Sequence, residues 1–155
     1  MSGATAYTVT IDGLIIQDGN ANNNSNGSDG LGAGLEFVRS STGTAYHQVY
    51  ISNCDFRYNT ATKGAALNYS LYILTWVRYL NLTSNNFYHN ISDEAAILNS
   101  YIGTATLASF YLNFTSNLVY RNRSTSNSTG ILALLCQNNA NASSLLITKS
   151  ISILS

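Results

Sequence analysis

Charge is scarce in this chain. Only 9% of its 155 residues are Asp, Glu, Lys or Arg, and seven cations balance seven anions at a formal net charge of zero. Such a chain has no electrostatic reason to seek nucleic acid or an anionic membrane surface, so neither is expected as a partner. Proline is absent, which leaves Gly, Asn and Ser as the turn markers. No run approaches the roughly 18 apolar residues that a membrane-spanning helix needs. The start, Met1-Ser-Gly-Ala-Thr5, lacks the basic and apolar regions of a secretory leader. Export therefore implies a leader outside these residues, and a fragment of a longer chain is expected.

There are two cysteines, Cys54 and Cys136. In a stack of parallel strands the repeats that carry them stand about 10 Å apart. That exceeds the roughly 7 Å Cα limit for a disulfide, so no bond between them is expected. Two small buried side chains are the expectation, with an intermolecular bridge as the alternative. Abundant Asn and Ser, 20 of each, with so little charge would suit a disordered chain, but a hydrophobic fraction of 45% argues against it.

What the chain does contain is repetition. Val49-Tyr-Ile-Ser-Asn-Cys-Asp-Phe-Arg-Tyr-Asn59 returns as Leu80-Asn-Leu-Thr-Ser-Asn-Asn-Phe-Tyr-His-Asn90 and as Leu112-Asn-Phe-Thr-Ser-Asn-Leu-Val-Tyr-Arg-Asn122. An earlier copy runs from Val9 to Gly19, and a fifth begins at Leu145. The starts at 9, 49, 80, 112 and 145 give steps of 40, 31, 32 and 33 residues. A period in this range marks a stacked architecture built from one supersecondary unit. The long first step is explained by the polar insertion Asn20–Gly30, which reads as a loop.

Within each copy the first, third and eighth positions are apolar: Val9, Ile11, Ile16; Val49, Ile51, Phe56; Leu80, Leu82, Phe87; Leu112, Phe114, Val119. Alternation of this kind predicts strands with one buried face. Strands recurring at such a period bury their shared face only by stacking in register, which predicts parallel pairing with right-handed crossovers. The expected fold is all-β, a right-handed parallel β-helix of about four to five rungs, forming a single domain over residues 1–155. The eleventh position reads Gly19, Asn59, Asn90, Asn122. Amides from Asn59, Asn90 and Asn122 are expected to bond above and below in a structural ladder.

Phe56-Arg-Tyr-Asn59 and Phe87-Tyr-His-Asn90 resemble the Phe-x-x-Asn motif of polymorphic outer-membrane protein repeats. Lys63-Gly-Ala-Ala-Leu-Asn68 and Glu94-Ala-Ala-Ile-Leu-Asn99 resemble the Gly-Gly-Ala-Ile partner of that motif. The general phrase is also similar to pectate-lyase-like β-helix repeats of surface proteins. The resemblance spans roughly residues 9–135 and implies a β-helix in an extracellular or cell-surface setting.

That fold also hosts polysaccharide lyases and hydrolases, whose sites need clustered carboxylates. Among Asp12, Asp18, Asp29, Glu36, Asp55, Asp93 and Glu94, only Asp93 and Glu94 are adjacent, and no catalytic pair is read. His47 and His89 fall at different repeat positions, and no metal-ligand spacing is present. Neither a metal nor another cofactor is expected.

Nine Asn-x-Ser/Thr sequons occur. Asn90 and Asn122 belong to the expected ladder, and Asn68 is left open. Asn81 and Asn113 are placed on an outward face, and Asn23, Asn26, Asn127 and Asn141 in turns. Those six are the glycosylation candidates for a eukaryotic source. The outward face also carries Tyr50, Tyr79 and Tyr111, a candidate surface for sugar rings or a partner protein, although tyrosine also simply favours strands.

The expected function is a non-enzymatic extracellular structural protein, a glycosylated module of a surface array or filament that self-associates end to end. The alternative is a carbohydrate-binding or adhesin module using the Tyr/Asn face. A polysaccharide lyase or hydrolase comes third.

Overall fold

A computed structural model describes residues 7–21, 30–39, 47–71, 78–102, 109–125, 132–136, 141–146 and 153–154. All regular structure among them is β. The first repeat supplies β1 (Tyr7–Asp12), β2 (Ile15–Gln17) and β3 (Leu35–Arg39). The second supplies β4 (His47–Ser52), β5 (Asp55–Arg57), β6 (Thr60–Lys63) and β7 (Leu67–Leu71). The third supplies β8 (Arg78–Thr83), β9 (Asn86–Tyr88), β10 (Ile91–Glu94) and β11 (Leu98–Ile102). The fourth supplies β12 (Ser109–Thr115), β13 (Leu118–Tyr120), β14 (Arg123–Ser124) and β15 (Leu132–Cys136). β16 (Asn141–Leu146) and β17 (Ile153–Leu154) follow.

These strands form four sheets, and within each the neighbours are equivalent strands of consecutive repeats. The orders are β1-β4-β8-β12-β16, β2-β5-β9-β13-β17, β6-β10-β14 and β3-β7-β11-β15. All the pairings are parallel.

Register follows the sequence period. Val49 pairs with Leu80 and Leu80 with Leu112, while Ile51 pairs with Leu82 and Leu82 with Phe114. All six positions are buried, with Phe56, Phe87 and Val119 beside them. Phe56 stacks on Phe87 with centroids 5.0 Å apart, and Phe87 on Phe114 at 5.8 Å. Burying one such side chain contributes about 1.5–3 kcal/mol, so these columns supply the main force holding successive repeats together. A further column, Leu35, Leu67, Leu98 and Leu132, joins them from the β3-β7-β11-β15 sheet.

The first repeat differs. Val9 is 38% exposed against 2% for its partner Val49, because among the described residues β1 pairs only with β4. Leu14 is 51% exposed where Cys54, one repeat on, is fully buried.

The turns also repeat. Position 5 is left-handed in each of the first four copies: Gly13, Asn53, Ser84 and Ser116, with φ of 70°, 52°, 57° and 55°. So is position 10: Asp18, Tyr58, His89 and Arg121, with φ of 59°, 55°, 54° and 51°. A third left-handed corner holds Gly32, Gly64 and Ala95, the last two in the Lys63–Asn68 and Glu94–Asn99 segments noted above. A Cβ on Gly64 would lie 2.4 Å from the Leu67 carbonyl oxygen, so glycine is required there for space, and its φ of 60° also favours glycine. Lys63 and Glu94 pair in register just before this corner and bridge at 3.0 Å on the surface, a contact worth little in solvent.

Candidate functional site

A residue in the left-handed region turns the strand sharply, and in the second to fourth repeats the side chain that follows each of these turns is drawn towards the interior. In positions 6 and 11 that side chain is mostly Asn, and its amide meets the backbone groups that the turn leaves open. At position 11, Nδ2 of Asn59, Asn90 and Asn122 donates to the carbonyls of Ile16, Phe56 and Phe87 at 3.0, 2.9 and 2.7 Å. The same groups link to each other. Asn59 Nδ2 donates to Asn90 Oδ1 at 3.0 Å, and Asn90 Nδ2 to Asn122 Oδ1 at 2.8 Å. Each Oδ1 also accepts a backbone N–H from the preceding repeat, those of Gly19, Asn59 and Asn90. Each amide therefore satisfies groups of the repeat before it.

A second column of the same design stands at position 6, where the sequence reading placed no ladder. Asn85 Nδ2 donates to Ile51 O at 2.9 Å and to Asn117 Oδ1 at 3.1 Å, and Asn117 Nδ2 donates to Leu82 O at 2.8 Å. The backbone N–H groups of Cys54 and Asn85 donate to Asn85 Oδ1 and Asn117 Oδ1. In the second repeat Cys54 takes the amide's place: its Sγ accepts from Leu14 N–H at 3.5 Å and lies 3.1 Å from the Ser52 carbonyl. The thiol is buried and free; the side chain of Cys136 lies outside the described residues.

A third stack joins Asn99, Asn68 and Glu36. Asn99 Nδ2 donates to Asn68 Oδ1 at 2.8 Å, and Asn68 Nδ2 to Glu36 Oε1 at 3.1 Å. Asn68 is buried, as is Asn90. Both carry sequons, and a buried amide has no room for a glycan. Asn81 and Asn113 are half-buried and face one another in register, and Asn113 Oδ1 accepts from Thr115 Oγ1. Asn23, Asn26 and Asn127 lie outside the described residues, as does the side chain of Asn141 in β16.

The candidate tyrosines divide. Tyr79 and Tyr111 pair in register and stack with centroids 4.8 Å apart and planes 12° from parallel. Tyr50 lies in the neighbouring column opposite Asn81, and its hydroxyl donates to Gln48 Oε1 at 2.9 Å. Gln48 itself precedes Tyr79 in the Tyr79–Tyr111 column.

A larger aromatic cluster lies on the outer side of β5, β9 and β13. Tyr88 stacks on Tyr120 at 4.9 Å and 6°, Tyr58 on His89 at 5.1 Å and 14°, and Tyr58 meets Tyr88 edge-on at 5.9 Å. Arg57 extends the Tyr88 column, donating to Tyr88 Oη at 2.7 Å and to Gln17 Oε1 at 2.6 Å. Bonding to Tyr88 raises the guanidinium pKa above its ordinary value. Burial raises the Tyr120 phenol pKa, with Tyr88 adding to it. Arg57 and Gln17 hold position 9 in the earlier repeats, so no tyrosine periodicity announced this cluster.

Five of the carboxylates serve as acceptors or ion-pair partners. Asp12 Oδ1 accepts from Ser52 Oγ at 2.6 Å and Asn53 Nδ2 at 2.8 Å, which hold its pKa below the usual carboxylate value. Asp55 accepts from Asn86 Nδ2, Asp93 from Thr125 Oγ1 and Glu36 from Asn68, while Glu94 pairs with Lys63. Among the described residues no group of three or more His, Cys, Asp or Glu side chains is placed to hold a metal ion. No helix among them is long and apolar enough to cross a membrane.

Comparison with protein-family models, curated proteins and solved structures found no match.

Proposed function

We propose that this chain is a right-handed parallel β-helix serving as a non-enzymatic structural module, part of an extracellular surface array or filament. One observation carries the reading: equivalent side chains of successive repeats form continuous columns, apolar in the core and amide beside them. Such columns give a stiff, directional element whose stability grows repeat by repeat. The tyrosine faces favour this reading over carbohydrate binding. A ring stacks on sugar through its face, and Tyr79 and Tyr111 turn faces towards each other.

End-to-end association is supported by the first repeat, where Val9 and Leu14 are exposed although Val49 and Cys54 are buried. A second copy seated there covers an apolar edge and pairs its strands, and a head-to-tail contact of this kind does not close. Asn81 and Asn113, outward and half-buried, are the glycosylation sites favoured among the described residues.

Electron microscopy of the purified chain at micromolar to millimolar concentration tests the reading. Filaments are expected, with Val9→Asp and Leu14→Asp reducing them. A monomer that binds glycans, and loses binding in the Tyr79→Ala/Tyr111→Ala variant, overturns it in favour of an adhesin.

A further inference from the structure

The two stacked tyrosine pairs have a chemistry that the packing alone does not use. Tyr79–Tyr111 and Tyr88–Tyr120 each join adjacent repeats, with centroids 4.8 and 4.9 Å apart and planes 12° and 6° from parallel. Neighbouring strands fix the backbones about 4.8 Å apart, so the rings approach each other whatever else the side chains do. Tyr79 is exposed, and Tyr88, Tyr111 and Tyr120 are half-buried, on the outer sides of two different sheets. Small oxidants reach them. The buried Cys54 thiol gives no comparable link at the surface.

We propose that Tyr79–Tyr111 and Tyr88–Tyr120 are sites of oxidative phenol coupling, closed by a peroxide acting through a one-electron-oxidising peroxidase. Each phenol loses one electron and one proton to become a phenoxyl radical, whose unpaired density reaches the carbons ortho to oxygen. Rotation about Cβ–Cγ turns the ortho edges of the stacked rings together, and the two radicals combine into one carbon–carbon bond. The hydrogens displaced from those carbons return to the phenolic oxygens. Each pair thus loses two hydrogens in all, and one hydrogen peroxide is reduced to two waters.

Rings held side by side react in an effectively unimolecular step, which gains over encounter between molecules at low concentration. The product is a covalent staple between consecutive repeats. The structure supplies internal comparators: Tyr50 stands opposite Asn81, and Tyr69 is buried beside Phe37 at 6.0 Å. The proposal rests on register alone and is independent of end-to-end association.

The test treats the dilute, monomeric 155-residue chain with hydrogen peroxide and a peroxidase, then reads dityrosine fluorescence, intact mass and linked peptides. The expected result is monomer lighter by two hydrogens per link, with links at 79–111 and 88–120 and none at Tyr50 or Tyr69. Tyr79→Phe, which keeps the ring and its packing, abolishes the first link and leaves the second. Tyr120→Phe does the reverse. Three results overturn the proposal: links at neither pair in protein that remains folded by circular dichroism, links as frequent at Tyr50 as at the two pairs, or coupling found only between molecules.

Discussion

The two buried amide columns have one design and differ in one residue. At position 11 the column runs Asn59, Asn90, Asn122 without interruption and reaches the Gly19 N–H of the first repeat. At position 6 it runs Asn85, Asn117 and stops at Cys54, whose sulfur accepts the Leu14 N–H at 3.5 Å. A carboxamide has two donors and an acceptor with two lone pairs, enough to serve a backbone N–H, a backbone carbonyl and the next amide together. A thiol is a weak donor and a weak acceptor. The comparison shows that the column has a direction, since each amide completes the repeat before it, and that its loss is felt one repeat upstream. It also shows why the longer column ends where it does. A Cβ on Gly19 would stand 2.0 Å from the Ala33 carbonyl oxygen, so no amide fits there.

The sharpest way to break the comparison is to delete one member of each column. Asn90→Ala strands the Asn59 N–H and amide and the Phe56 carbonyl. With about 1–3 kcal/mol for each buried group left unsatisfied, a loss of about 4 kcal/mol is expected in denaturant unfolding. Asn85→Ala strands the Cys54 N–H and the Ile51 carbonyl but no upstream amide. Its loss should be smaller by about one hydrogen bond, roughly 1 kcal/mol. Equal losses would show that the columns do not differ as described. Restoring the interrupted column tests it from the other side: Cys54→Asn offers a donor to Asn85 Oδ1 and should raise stability by about 1 kcal/mol, seen as a higher midpoint with an unchanged slope.

The third corner is followed by Ala33, Ala65 and Ala96 where the other two are mostly followed by Asn, and it sharpens the contrast. Ala95 sits at φ 55°, where Gly64 is its counterpart one repeat earlier at φ 60°. Ala95→Gly removes left-handed strain of about 1 kcal/mol against an entropic cost nearly as large, so a gain of a few tenths is expected in thermal unfolding.

The smallest effect concerns pH. Asp12 clamps Asn53, the left-handed residue before Cys54, and its pKa is lowered by the Ser52 and Asn53 hydrogen bonds. A lowered folded-state pKa means stability that is present above the unfolded carboxylate value of 3.8 and is lost as pH falls through the folded value. Acid unfolding of Asp12→Asn should begin from a slightly lower plateau and show less pH dependence below that point. An unchanged acid profile would remove the clamp from the account.

Much of this could be read in the sequence, and what could not has physical reasons. The period and the apolar positions 1, 3 and 8 announce parallel register directly, because a slip of one residue would expose Ile51, Leu82 and Phe114. The eleventh position was legible because Asn recurs there in three consecutive repeats. The sixth was not, because Leu14 and Cys54 break the pattern before Asn85 and Asn117 begin it. The Glu36–Asn68–Asn99 stack hid behind a sequon and a carboxylate. Left-handed turns at Tyr58 and Arg121 carry no turn-forming residue type at all. Side chains of that size adopt φ above zero only where the surrounding packing imposes it.

Disulfide trapping between adjacent repeats tests the register most directly. Thr83 and Thr115 face each other across β8 and β12, within the Cα range a disulfide accepts. Thr83 and Asn113 share the same face but are two residues out of register, about 8 Å apart from strand spacing and rise. With Cys54 and Cys136 replaced by Ala, Thr83→Cys/Thr115→Cys should close an intramolecular bond under mild oxidation, while Thr83→Cys/Asn113→Cys should not. Closure of the second pair as readily as the first, or failure of the first in folded protein, would contradict the stacked, in-register arrangement on which the account depends.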